Sequence, residues 1–428
     1  MKRSVDDIGA IHFFDGSRRP EPPSLGRVLL LTASVGGGHT RAAEAIAASI
    51  RSLALDGLVR YDALDVVDTL ACAAPWFRAA YRGTYLGLLA RAPAVVGWMY
   101  ERSDRAYHGV RLRWATAHLG LAGLRQRIRA FAPDVIVSTH FLPSEYVAGL
   151  RRRGRLDAKL MTVVTDVHVH GLWLADPCER YFVASDEGRR TLESHDVGAD
   201  RISVTGIPID PAFVTPMEQS LARQKHGLPL DRQVVLFTTG GACVGPVVSL
   251  YSSLLSLTTP CEIVAVTGKS VVARQGIERV AARHPGSSPV RTRVRGHSTS
   301  MHELMAAADL LVGKPGGLTS AEARASGLPM AIVHAVPGQE EHNAAALLEA
   351  GCAIRCSSLS SAAWKIDRLL QQPSEHARMA VQAKAGAKAA AGLAVAESLA
   401  ATTRWGCEGS GLRTSPVRGA SMPVQRAI

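Results

Sequence analysis

Two stretches of this chain share one pattern: an unbroken apolar run, a glycine turn, then apolar residues at helical spacing. In the first, Arg27 to Ser34 ends in Val35-Gly36-Gly37-Gly38-His39, after which Ala42, Ala43, Ile46, Ala47 and Ile50 recur on one helical face. In the second, Val234–Thr238 runs into Gly240-Gly241. A continuous apolar run is what a parallel strand covered on both faces requires, so each stretch opens a βα unit. Further strands are predicted at Val135–Thr139, Leu160–Thr165, Tyr181–Ala184 and Ile202–Thr205, and after the second opening at Ile263–Thr267, Val290–Arg295, Asp309–Gly313 and Met330–Val333. Gly206-Ile207-Pro208-Ile209-Asp210-Pro211 supplies a stiff joint between the two series.

The chain therefore reads as α/β: two doubly wound, Rossmann-like domains facing across a cleft, with ligands at the carboxyl ends of the strands. With 428 residues, 47% of them hydrophobic, it can bury two ordinary cores. The expected division is a flexible arm at 1–24, a first domain at 25–212, a second at 213–400 and a disordered tail at 401–428, where Gly, Ser, Arg and Pro take over.

Charge narrows the partners. A net charge of +12 implies an acidic counterpart, but aromatics are only 5% and do not interleave with the basic residues as base-stacking platforms do, so nucleic acid is not an expected partner. An anionic membrane surface or a phosphorylated substrate fits better. Between Trp76 and Trp114, Tyr85, Trp98 and other aromatics mingle with seven arginines, Arg91, Arg102 and Arg105 among them, against the two acids Glu101 and Asp104. Interfacial aromatics with excess cations suit monotopic membrane docking, and a pair of core-packing helices with a solvated basic face is the competing reading. The longest apolar patch there is interrupted by Arg91 and Pro93 and is too short to span a bilayer. Seven scattered cysteines without a C-x-x-C indicate neither a disulfide framework nor a zinc site, and the N-terminus has no apolar core of signal-peptide length. A cytoplasmic protein, peripheral on the inner face of the cell membrane, is expected.

The chemistry concentrates in four places. Lys314-Pro315-Gly316-Gly317-Leu318-Thr319-Ser320-Ala321-Glu322 places a glycine pair, a hydroxyl and then a carboxylate at the start of a helix. Such an arrangement can hold a diphosphate on the helix N-terminus and ribose hydroxyls on Glu322, with Gly240 and Gly241 as the second diphosphate loop. Pro337-Gly338-Gln339-Glu340-Glu341-His342-Asn343 follows, and Glu341, His342 and Asn343 are expected to face sugar hydroxyls unless they merely begin a helix. His39, fixed by Gly37 and Gly38, is a candidate general base for an acceptor hydroxyl, with capping of the turn as its structural alternative. Gly36-x-Gly38 also begins like a dinucleotide fingerprint, but Arg41 stands where the third glycine would fall. Asp166, His168, His170 and Trp173 follow a strand and should emerge at the cleft. Asp166 could orient or replace the base, His170 and Trp173 could line the acceptor side with His140, and Asp166-x-His168-x-His170 could instead share a metal ion.

These residues resemble the monogalactosyldiacylglycerol synthases and processive diacylglycerol glucosyltransferases, in the group that also holds the lipid II-forming N-acetylglucosaminyltransferase. The resemblance covers about Arg27 to Arg355 and rests on Leu31-Thr32-Ala33-Ser34-Val35-Gly36-Gly37-Gly38-His39, Val164-Thr165-Asp166 with His170-x-x-Trp173, and Gly206-Ile207-Pro208-Ile209. It implies a GT-B fold, a UDP-sugar co-substrate on the second domain with no tightly bound cofactor, a lipid acceptor entering from the first, and inversion at the anomeric carbon. It places Glu322 on the uridine ribose and His39 beside the reacting carbon. The chain contains no Asp-x-Asp, the metal–diphosphate bridge of the other glycosyltransferase design, and no metal is expected. Transfer of N-acetylglucosamine to another lipid-linked acceptor, a UDP-sugar epimerase of similar architecture and a sugar-nucleotide sensor are the alternatives.

Overall fold

A computed structural model of the chain describes residues 21–104, 110–240, 243, 245–284 and 286–408, and of the helical residues 82, 84–86, 88–91, 93, 110–112 and 403–408 it describes the backbone alone. The first domain begins β1 (Arg27–Thr32), α1 (Gly38–Leu55), β2 (Ala63–Asp68). Four consecutive helices follow: α2 (Pro75–Arg91), α3 (Pro93–Ser103), α4 (Val110–Gly120) and α5 (Ala122–Phe131). It closes with β3 (Val135–Ser138), α6 (Phe141–Arg151), β4 (Lys159–Val163), β5 (Arg180–Val183), α7 (Asp186–Glu193) and β6 (Ile202–Val204). The second domain runs α8 (Gln219–His226), β7 (Gln233–Thr238), α9 (Val247–Leu254), β8 (Cys261–Val266), α10 (Val271–Ala281), β9 (Val290–Arg295) and α11 (Met301–Ala307). Then come β10 (Leu310–Gly313), α12 (Gly317–Ala325), β11 (Met330–Val333), α13 (Gln339–Glu349), β12 (Ala353–Cys356), α14 (Leu359–Leu370), α15 (Pro373–Ala385) and α16 (Ala391–Glu408).

Each domain is built on a parallel six-stranded sheet, ordered β2-β1-β3-β4-β5-β6 in the first and β12-β11-β10-β7-β8-β9 in the second. All ten expected strands are present, and two more, β2 and β12, sit at sheet edges. The central strands are apolar on both faces because helices cover both: Val28, Leu30 and Val137 pack under α1, whereas Leu29, Leu31 and Ile136 pack under the α5–α6 side. In an open sheet of this kind the chain reverses its winding at one point, and a crevice opens there beyond the strand ends. Here those points lie between β1 and β3 and between β10 and β7.

The last helix is not a tail of the second domain. α16 runs through the boundary expected at 400, and its Val395, Ala396, Leu399 and Ala400 are buried with α1 in the core of the first sheet. A Cβ on Gly392 would lie 2.6 Å from Ser49 Oγ, so a residue without a side chain lets α16 lie close on α1. Residues 409–428 of the expected tail, and 1–20 of the arm, lie outside the described residues.

Candidate active site at the two crevices

The first crevice holds His39. β1 ends at Thr32, and the glycines bend the chain so that α1 starts at Gly38, with Gly36 at φ 112°, a conformation that favours glycine. His39 Nδ1 lies 3.1 Å from the Thr139 carbonyl oxygen at the end of β3 and 2.7 Å from Thr165 Oγ1 beyond β4. A carbonyl oxygen only accepts, so Nδ1 carries the proton and Nε2 keeps its lone pair. The ring is surrounded by protein but keeps part of its surface toward the cleft. Burial pulls its pKa down to about 4, against the Thr139 hydrogen bond, so the imidazole is neutral at pH 7.

His140 and Trp173 are buried behind it, His140 edge-on at 4.6 Å between ring centroids and Trp173 at 6.3 Å. His140 also caps α6, its Nδ1 accepting from the Leu142 amide at 3.0 Å. These residues shape the wall of the crevice from inside rather than projecting from it. Asp166 is buried next to them. Gln339 donates to its Oδ1 from the other domain, and burial, opposed by the Gln339 and Trp173 hydrogen bonds, raises its pKa to about 6.

Asp166, His168 and His170 do not converge. His168 Nε2 lies 3.3 Å from Asp104 Oδ2, His170 Nε2 donates to the Tyr100 carbonyl at 2.8 Å, and Asp166 turns to Gln339. The segment after β4 is irregular and breaks into a short 3-10 turn at Gly171–Trp173, so the strand alternation that would align three ligands is lost.

At the second crevice the expected donor elements come together. Gly316 ends the connection from β10 as the N-cap of α12 with no side-chain cap, leaving the first-turn amides of Gly317, Leu318 and Thr319 directed past the helix end. Gly240, after β7, has φ 67°, and a Cβ there would stand 3.6 Å from Lys314 Cε. Lys314 is itself paired with Glu340 at 3.4 Å, which places a cation between the two glycine loops. Gly241 lies outside the described residues. A depression of about 590 Å³ is lined by Trp364, Asp367 and Gln371 and by none of the residues of the two crevices, and its Asp367 accepts from the Thr258 and Thr259 amides.

The lobes meet at several points. A Cβ on Gly317 would lie 2.3 Å from the Thr165 carbonyl oxygen, so a glycine is what allows α12 to abut the segment that follows β4 in the facing lobe. Val167 N donates to Asn343 Oδ1 at 3.2 Å, and His342 stacks on His168 with centroids 4.2 Å apart. Glu322 is buried and bound by Arg41, and burial raises its pKa to about 7 although Arg41 opposes the rise. Glu341 departs from its neighbours: Arg355 on edge strand β12 takes its carboxylate at 2.8 Å. The roles of Arg41, Gln339, Lys314, Thr139 and Thr165 are not legible in residue order, because their partners are far away in the chain.

α3 carries the aromatic, basic face. Val95, Trp98 and Met99 are exposed, and the Arg102 guanidinium lies 5.7 Å from the Trp98 ring centroid. The same helix packs on the second domain, with Gly97 against Pro337 and Tyr100 against Gly338. Tyr85 and Arg91 lie on α2, but their side chains, like Arg105 as a whole, are outside the described residues. No helix among the described residues is long and apolar enough to cross a membrane.

Comparison with known proteins gives two family matches: monogalactosyldiacylglycerol (MGDG) synthase over residues 39–209 and the glycosyltransferase family 28 C-terminal domain over residues 238–397. A processive diacylglycerol beta-glucosyltransferase of Bacillus thuringiensis (strain Al Hakam) is 27% identical over 346 residues, 81% of this chain and 86% of the relative. Among solved structures, Acinetobacter baumannii MurG is similar in fold, with a TM-score of 0.54, 13% identity, and coverage of 88% of this chain and 99% of that one. The S. aureus MnaA–UDP co-structure gives a TM-score of 0.58, 13% identity, and coverage of 91% and 99%.

Proposed function

We propose that the chain, whose two family matches together take in about three quarters of its length, is a glycosyltransferase of the MGDG synthase and family 28 group that transfers a hexose from a UDP-sugar to a diacylglycerol-type lipid. The observation that carries this reading is the pairing of the crevices. An imidazole with its Nδ1 proton fixed and Nε2 unprotonated stands at one, and a helix N-terminus flanked by a lysine stands at the other.

The reaction is a single displacement. His39 Nε2 takes the proton of the acceptor hydroxyl as that oxygen bonds to C1 of the sugar. The C1–O bond to the diphosphate breaks at the same time, and one backside attack inverts the anomeric centre. The amides of Gly317 to Thr319 and the Lys314 ammonium receive the negative charge that develops on the departing UDP. Glu322 takes the ribose diol, and Gln339, His342 and Asn343 stand at the sugar side. Asp166 supports the Trp173 wall and is the alternative proton acceptor.

The lipid enters over α3, whose Trp98, Met99 and Arg102 suit the headgroup region of an anionic inner leaflet. The test is to incubate the purified protein with diacylglycerol vesicles and a panel of UDP-sugars, then to identify products by mass spectrometry and the anomer by NMR. A β-linked glycolipid from one UDP-hexose is expected. Sugar epimerised without lipid product would replace this reading with an epimerase.

A further inference from the structure

Arg41 stands on the first domain yet touches the second. α1 and α12 lie side by side at their N-termini, where the Cβ position of Gly38 is 3.7 Å from Leu318 Cβ, and further along the two helices Arg41 Nη2 meets Glu322 Oε1. The Glu322 side chain is 2% exposed and the Arg41 side chain 43%, so the guanidinium reaches in from the cleft rim over a carboxylate that is otherwise enclosed. Among the described residues the contact is one nitrogen on one oxygen, which leaves Oε2 for a diol hydroxyl.

The geometry points to Arg41 as a positioning residue for the donor: contributed by the acceptor lobe, it holds Glu322 oriented to receive the ribose diol, so that the donor site is complete only when the lobes are together. This rests on the reading of Glu322 as the ribose residue. A diol donates two hydrogen bonds, and a carboxylate accepts both, whereas a protonated carboxyl must give up one acceptor position. The charged groups facing Glu322 are Arg41 from α1 and Asp210 from the interdomain joint, of opposite effect. With burial disfavouring the charge and Asp210 doing the same, Arg41 is the group that favours the charged form. His39 and Arg41 thus give the first turn of α1 two duties, one toward each substrate.

The experiment is calorimetric titration of UDP and 2′-deoxy-UDP into the full-length protein between pH 6 and 8.5, for the unaltered chain, Arg41→Gln, Arg41→Lys and Glu322→Gln. Arg41→Gln is expected to weaken UDP about tenfold at pH 7, the scale of one charge-assisted hydrogen bond. It should also bring the UDP to 2′-deoxy-UDP preference toward one and move the acid-side loss of binding to higher pH. Arg41→Lys should restore most of the affinity and the preference. If Arg41→Gln binds UDP as tightly as before or more tightly, with preference and pH profile unchanged, Arg41 only competes with the ribose and the inference is overturned. If Glu322→Gln itself leaves UDP affinity unaltered, the ribose assignment fails, and this inference with it.

Discussion

His39 shows how much of a candidate catalytic residue is fixed by groups far from it in sequence. Three glycines and a strand end make its place legible in the chain, but the Thr139 carbonyl that sets its tautomer lies 100 residues away and Thr165 lies 126 away. Replacing His39 with alanine should cut transfer by about 10²–10⁴-fold, the span of general-base catalysis, while UDP titration changes little. Retained turnover would remove His39 from its role. The pH profile separates the two candidate bases. His39, pulled down to about 4, is already neutral well below pH 6, whereas Asp166, raised to about 6, is protonated below that point and ionised above it. An acid limb near pH 6 that disappears in Asp166→Asn assigns the limb to Asp166. A limb that stays put in that variant assigns it elsewhere. Glu322→Ala should weaken UDP binding by about 1–3 kcal/mol, the cost of losing a charged hydrogen-bond partner, with unaltered affinity contradicting its place on the ribose.

At the scale of elements, the glycine pair before α12 has two separate reasons to exist. One is legible in the sequence, the approach of backbone amides to an anion, and Gly316 fits it: nothing closer than Thr319 Oγ1 at 4.0 Å would meet a Cβ there. Gly317 has the other. A methyl at 317 would press on the Thr165 carbonyl, which is backbone and cannot turn aside, so Gly317→Ala should hold the lobes apart. The expected result is a fall in kcat of roughly tenfold or more, from about 1–3 kcal/mol of overpacking in the closed form, with Gly316→Ala much milder. Equal effects of the two substitutions would show that the contact with Thr165 does not limit closure. The same contrast explains which strands are legible. β1 and β7 are apolar through their central residues because both faces are covered, while β2 is an edge strand with Asp65 and Asp68 and is only half-buried, and β12 has four residues with Arg355 among them. An edge strand needs only one buried face and one paired side, so its sequence carries less of the pattern.

On the scale of the whole molecule, α3 joins two surfaces that the sequence keeps separate. Its outer face offers Trp98, Met99 and Arg102, and its other side packs Gly97 and Tyr100 on Pro337 and Gly338, the turn that leads into α13 with Gln339, His342 and Asn343. Neither packing partner is legible from residue order, since the 93–103 and 337–343 segments meet only once both domains are folded. On the proposed reading, a helix so placed brings a membrane surface and the sugar side of the candidate donor site into one assembly. Trp98→Ser with Arg102→Ser should remove an interfacial aromatic and a cation worth about 1 kcal/mol near an anionic surface, lowering vesicle association roughly tenfold or more. The association of the unaltered protein should fall with added salt, because the cationic part of the attraction is screened within about a Debye length. Sedimentation with anionic and neutral vesicles measures both effects, and turnover on a short-chain acceptor dispersed without vesicles provides the control, where the double variant should keep its rate. If the variant pellets with anionic vesicles as the unaltered protein does, α3 is a packing helix with a solvated basic face. If instead it also loses turnover on the dispersed acceptor, the exposed face supports the turn before α13 rather than the membrane.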